Sequence, residues 1–186
     1  MTVCHSNVER RTVPDMQLLR RSVTFRRLWI GQSVSVVGDG MQRIALLWWA
    51  KHHGGNGLLA AVALSTIIPV VAGSPIGGWL ADRSDRRTLM LAADIARLCT
   101  TALLAALLIG GDSPAVLVCA LIALAGLATS VFDPTYAATV PPIVDEEDLP
   151  AANGLNMANS AVGGLVGPLV GGVLLGVFSL LSLIHI

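Results

Sequence analysis

GLNMANSAVGGLVGPLVGG, residues 154–172, is the stretch that decides the fold. Gly154, Gly163, Gly167, Pro168, Gly171 and Gly172 are separated by eight, three, zero, two and zero residues. On an α-helix Gly163, Gly167 and Gly171 stand at i, i+4 and i+8, stacked on one face. A face without side chains lets another helix backbone approach closely. Pro168 removes one backbone donor and bends a helix at that point. The run from Gly154 to Phe178 contains no acidic or basic residue, and it is long enough to cross the roughly 30 Å hydrocarbon core of a bilayer. A bendable, closely packed helix suits a part that moves between two states.

Four more runs of the same kind precede it. They are Leu28–Ala50, Leu58–Ala81, Leu89–Gly110 and Ala115–Tyr136. The whole chain is 54% hydrophobic and only 13% charged, against about a quarter charged in a soluble domain, and its charges gather between the runs. Continuous apolar runs argue for helices, because barrel strands alternate over ~10-residue segments. The expected fold is therefore an all-α integral membrane bundle with five spans. Residues 1–27 form an N-terminal segment outside the membrane. A secretory signal is excluded by the length of the first run and the lack of a small-residue cleavage site after it. The chain closes on Leu183-Ile184-His185-Ile186, with no polar tail. Residues 179–186 are read as a truncated or non-native end, with a sixth span expected beyond.

Lysine and arginine set the orientation. The N-terminal segment carries Arg10, Arg11, Arg20, Arg21, Arg26 and Arg27, and the second connection carries Arg83, Arg86 and Arg87. Lys51 alone borders the first connection, and the third, Gly111 to Pro114, has neither residue. This pattern places the N-terminus in the cytoplasm of a multi-pass protein of the cell's inner membrane. The acidic fourth connection, with Asp145, Glu146, Glu147 and Asp148, does not oppose it, since acids count little in this rule. Formal net charge is zero, so nucleic acid is not an expected partner. Cys4, Cys99 and Cys119 are scattered without metal-ligand or disulfide spacing. His52-His53 read as solvated residues at an external edge, and no metal or other cofactor is expected. Trp29, Trp48, Trp49 and Trp79 fall near span ends, where interfacial anchoring explains them.

Three polar groups remain. The first is Gly78-Trp79-Leu80-Ala81-Asp82-Arg83-Ser84-Asp85-Arg86-Arg87. There Gly78 permits close approach of a helix end, Asp82 is able to accept from a helix N-terminus or pair with arginine, and the basic residues fix topology. The second is a stripe on the first span, Gln32, Ser35, Asp39, Gln42 and Arg43, within about a 100° arc. Asp39 is at mid-span. An acid at that depth is costly and must face a cavity or a partner. It either binds protons or a cationic substrate group, or forms a static ion pair with Arg43 at i+4. The third is Asp94 and Arg97 on the third span with Asp133 on the fourth. Asp133 lies at a depth similar to that of the loop arginines and directly before Pro134, where it would simply end a helix.

The loop resembles the signature of the major facilitator superfamily, with Asp85 standing where that family usually has glycine. The spacing from Gly154 to Gly172 resembles the fifth-helix signature of its antiporters. Gly31-Gln32-Ser33, Gly38-Asp39-Gly40 and the run from Phe132 to Asn156 are similar to its macrolide-efflux and enterobactin-exporter branch. The resemblance implies a bundle of six plus six helices built from inverted three-helix repeats. This chain would form five helices of an incomplete six-helix N-terminal bundle. It also implies proton-coupled efflux of a hydrophobic drug or siderophore-like molecule, for which the polar stripe offers Asp39, Arg43 and Gln32 as substrate or proton-coupling candidates. Expected partners are the lipid bilayer, a small-molecule substrate, protons and the missing C-terminal half. In the superfamily the loop arginines pair with an acid at the inner end of the fourth helix, which makes Asp133 the gate candidate. No arginine or lysine occurs between Ala115 and Tyr136, so the fourth-helix arginine used in coupling by other drug–proton antiporters is missing. The alternative is a truncated or accessory membrane protein with no transport cycle of its own. No nucleotide-binding loop or nucleophile arrangement points to an enzyme.

Overall fold

The computed structural model describes residues 17–110 and 113–184, with side chains to residue 177. Arg10, Arg11 and Cys4 of the N-terminal segment, Gly111 of the third connection, and His185 and Ile186 of the end segment lie outside the described residues. Five helices follow one another: α1 (Gln17–Arg21), α2 (Val23–Arg83), α3 (Arg86–Ile109), α4 (Ala115–Thr139) and α5 (Leu149–Ile184). Two 3₁₀ turns, Pro141–Ile143 and Glu146–Asp148, join α4 to α5. No strand occurs among the described residues.

The four long helices are each long and apolar enough to cross a membrane. With 61 residues, α2 would be about 90 Å long if straight, three times the hydrocarbon thickness. It is broken at Gly55, whose φ of 60° and ψ of −146° is a conformation that only glycine reaches without strain. The chain folds back there. Ala50 and Val62 share one buried cluster, although twelve residues of straight helix would hold them about 18 Å apart. Lys51 Nζ also donates to Asn56 Oδ1 across the break (2.8 Å). The two arms, residues 23–54 and 56–83, make five spanning segments in all. The fold is an all-α membrane bundle.

The helices overrun the apolar runs. The first arm begins at Val23, where Ser22 Oγ accepts from the Phe25 amide (3.2 Å) as an N-cap. The last helix starts at Leu149, five residues before Gly154, so the fourth connection is shorter than its composition suggests. The short α1, with Leu18 buried, has no counterpart in the apolar pattern.

The chain divides into two compact units, with the boundary inside α2 between Ile44 and Ala45. In the first unit, residues 23–44 pack along α5. Phe25 (0% exposed), Val140, Ala152 and Leu155 are buried, and Trp29 Nε1 donates to the Leu155 carbonyl (3.2 Å). In the second, Ala45–Thr139, the core joins Leu46, Trp49, Ala50, Val62, Leu104, Val118, Leu121 and Ile122. Outward-facing positions are large and apolar: Val71 is 67% exposed, Leu98 69% and Leu165 75%. Water would make such a surface prohibitive; lipid makes it the stable choice.

Candidate functional site

Glycine builds the seam between α2 and α5. A Cβ placed on Gly167 would stand 2.6 Å from the Val37 carbonyl oxygen and 2.8 Å from Gly40 Cα. One on Gly171 would stand 3.0 Å from Met41 Cα, and one on Gly163 would overlap Val36. From the other side, a Cβ on Gly40 would meet Pro168 Cδ at 2.8 Å and Gly167 Cα at 2.9 Å. The two backbones are therefore in direct contact at Gly40–Gly167. Gly163, Gly167 and Gly171 are buried, Gly154 and Pro168 are half-buried, and Gly172 is exposed with open space around it. The i, i+4, i+8 row abuts the neighbour, with Pro168 beside it, and Gly172 does not.

This seam determines where the polar stripe points. Val36, Val37, Gly40, Met41 and Ile44 face α5. At 100° per residue, Gln32, Ser35, Asp39, Gln42 and Arg43 centre about 140° away around the same helix. Asp39 and Arg43 are exposed, whereas Gln32, Ser35 and Gln42 are half-buried. Asp39 stands sixteen residues after Val23 and fifteen before Gly54, about 23 Å along the axis from either end. It is thus at mid-depth of a spanning segment, on a face that α5 leaves uncovered.

A second glycine seam lies in the other unit. Gly73 and Gly77 abut Ser130 so closely that a Cβ on either would overlap it, and Gly126 faces Pro69 (3.4 Å). Close approach was expected at Gly78, yet Gly78 has open space among the described residues. One residue is 100° of rotation, and it is Gly77 that turns toward α4.

The loop after this seam is ordered by its own side chains. Asp82, Arg83 and Arg87 are exposed and Arg86 is half-buried. The Arg83 guanidinium lies over the Trp79 ring (4.6 Å). Asp85 is the N-cap of α3: its Oδ2 accepts from the Thr88 hydroxyl (2.6 Å) and the Thr88 amide (2.9 Å). Those two bonds, the hydroxyl first and then the amide, hold its carboxyl below the usual carboxylate range. The acid in place of the usual glycine is therefore a helix cap, a role the sequence signals by Asp followed three residues later by Thr. Arg86 Nη1 donates to the Ala138 carbonyl (2.8 Å), in the last turn of α4. The loop arginine thus reaches the end of the fourth helix through a main-chain oxygen, five residues beyond Asp133, which is exposed.

On α3, Arg97 stands eleven residues after Arg86 and twelve before Ile109. Its side chain is 13% exposed, 3.9 Å from Asp94 Oδ1, and its guanidinium lies 5.7 Å from the centre of the Phe132 ring, within cation–π range. Phe132 in turn stacks with Tyr136 (6.0 Å). The aromatic support for Arg97 was not expected, because the fourth span reads as an apolar run.

Comparison with known proteins agrees with this architecture. The profile of the family described as transmembrane secretion effector, within the major facilitator superfamily, matches residues 17–183. The chain belongs to this family. Relatives of the chain include the macrolide efflux protein A of Streptococcus pyogenes, 25% identical over 87% of this chain and 40% of that protein. The enterobactin exporter EntS of Shigella boydii is 26% identical over 87% of this chain and 39% of that protein. An uncharacterized transporter of the same superfamily, YfiS of Bacillus subtilis, is 31% identical over 46% of this chain. The chain spans about 40% of the length of the curated relatives that it matches over most of its own. No solved structure matches significantly.

Proposed function

We propose that this chain forms part of the N-terminal bundle of a proton-coupled exporter of hydrophobic or siderophore-like small molecules. Its membrane is the cell's inner membrane and its N-terminus is cytoplasmic. The observation that carries the reading is Asp39: an acid at mid-depth of a membrane helix, in a polar stripe turned away from the α5 seam. Facing lipid, such a group would cost at least about 3 kcal/mol, so its face belongs against a hydrated cavity. Because the relatives are more than twice as long, the other wall of that cavity belongs to the remainder of the protein. Asp39 takes up and releases protons as the cavity alternates, and Arg43 and Gln32 flank it. At the cytoplasmic end the Asp82–Arg87 loop closes the gate on the inner end of α4, with Asp133, Asp94 and Arg97 as the charges that bias it. The names of the relatives support efflux, and the arginines of residues 20–27 and 83–87 support the orientation.

The test is transport by the full-length protein in sealed vesicles, with a radiolabelled macrolide and enterobactin as probes. Accumulation driven by an inward-acid pH gradient and abolished by an uncoupler is expected. Accumulation that an uncoupler leaves unchanged would overturn proton coupling.

A further inference from the structure

The glycine row of α5 continues one turn toward its start, and the residue there is Asn159, four before Gly163 on the same face. It is 8% exposed. Among the described residues the other buried polar side chains are Thr100, Ser130 and Thr135, and each donates to a carbonyl of its own helix. Asn159 makes no hydrogen bond to any described residue, yet neither polar atom of its amide is sealed off.

Ser33 stands opposite. Along the seam α2 and α5 run in the same direction: Trp29 meets Leu155, Val36 meets Gly163, and Ile44 meets Gly171. Asn159, midway between Leu155 and Gly163, is therefore level with residues 32 and 33. Ser33 is four residues from Trp29 and four from Val37, both of which touch α5, so it shares the seam face. Its Oγ donates to the Trp29 carbonyl (2.8 Å) and keeps lone pairs that can accept. The two residues also share a depth. Ser33 lies five residues past Leu28, and Asn159 five past Gly154, which is about 7.5 Å inside the hydrocarbon edge. Nothing in lipid satisfies an amide there.

We infer that an ordered water bridges Asn159 and Ser33 within the seam. With so little of the side chain exposed, neither another helix nor a drug-sized substrate reaches the amide, whereas a single water does. The water accepts an N–H from Asn159 and donates an O–H to Ser33 Oγ, so it has the polar partners that a buried water needs. Such a bridge is nearly as favourable as a direct bond. The seam then holds by two kinds of contact: bare backbone at Gly40–Gly167, and water between polar side chains nearer its start. Neither Asp39 nor Arg43 takes part, so the inference stands or falls apart from proton coupling.

Two measurements on the full-length protein test it. Hydroxyl radicals formed from ordered water by an X-ray pulse modify the side chains beside that water, an arm that needs no variant. Leu155, 2% exposed and one turn from Asn159, should be modified several times faster than Leu104, 3% exposed in the apolar core of the second unit. Equal rates would overturn the inference. The second measurement is a double-mutant cycle, read by unfolding in mixed micelles. Asn159→Leu and Ser33→Ala should each lower the folded-to-unfolded ratio roughly fivefold, the worth of one hydrogen bond. Together they should lower it little more than either alone, because both remove the same bridge. Losses that multiply would overturn the bridge. So would an Asn159→Leu protein more stable than its parent, the outcome for an amide that nothing satisfies.

Discussion

Gly167→Ala is the sharpest test of the α2–α5 seam. The new methyl would stand 2.6 Å from the Val37 oxygen and 2.8 Å from Gly40 Cα. Ordinary contacts are about 3.3 Å to oxygen and 3.5 Å between carbons, so the helices must part by about 0.7 Å. Both obstacles are backbone, and no side-chain rotation removes them. A gap of that size forfeits a quarter to a half of each dispersion contact, at about 0.15 kcal/mol per atom pair. With on the order of 40 pairs along the seam the loss is roughly 2 kcal/mol, within the range of overpacking substitutions. Nothing offsets it, because lipid supplies no hydrophobic drive between helices. Gly171→Ala meets Ile44 Cγ2 at 2.6 Å, the end of a side chain that can turn aside, and Met41 Cα at 3.0 Å, and should cost somewhat less. The double variant should cost less than the sum, since one separation relieves both contacts. Gly164→Ala and Gly172→Ala have nothing within 4 Å and should be neutral or slightly stabilising. The assay is unfolding of the full-length protein in mixed micelles, followed by tryptophan fluorescence and circular dichroism. A Gly167→Ala variant as stable as the parent, or a Gly164→Ala variant losing as much, would refute the reasoning.

Two further outcomes follow from the other unit. Gly77→Ala should destabilise in the same assay by a similar roughly 1–3 kcal/mol, because its Cβ would overlap Ser130; Gly78→Ala should be tolerated, and the reverse order would show that the second arm of α2 is rotated from the placement described. Asp85→Ala should fray the first turn of α3, read as faster amide hydrogen exchange at residues 86–89. The folded-state pKa of Asp85 lies below its ordinary 3.8, so its contribution is fully present above that value and lost as pH falls through the lowered one. The difference between parent and variant should therefore be constant at neutral pH and shrink only in strong acid.

The glycine row at 163, 167 and 171 was legible because helical spacing stacks every fourth residue on one face whatever the partner is. The partner was not legible. Gly40 could be noticed as a small residue, but nothing in a linear pattern says that it meets Gly167. Gly77 and Gly78 show the same limit, since adjacent glycines differ by 100° and only the neighbouring helix decides which one is buried. Apolar runs located the spans through the cost of placing charge in lipid. They missed α1 and the first turns of α5, because a helix continues past the membrane edge as long as its caps allow. Asp85 was readable as a departure from a family pattern, and its capping role needed Thr88 to be seen three residues on. The environment of Arg97 needed Phe132, which supplies a ring face from a run that carries no charge.

Asp39→Asn in the full-length protein tests the central claim most directly. The amide keeps the shape of the side chain but cannot exchange a proton, so membrane insertion should be unchanged. In sealed vesicles, accumulation driven by a pH gradient should fall at least tenfold, while substrate exchange with no gradient persists. An Asp39→Asn protein that accumulates substrate as the parent does would contradict the account and return Asp39 to a structural role.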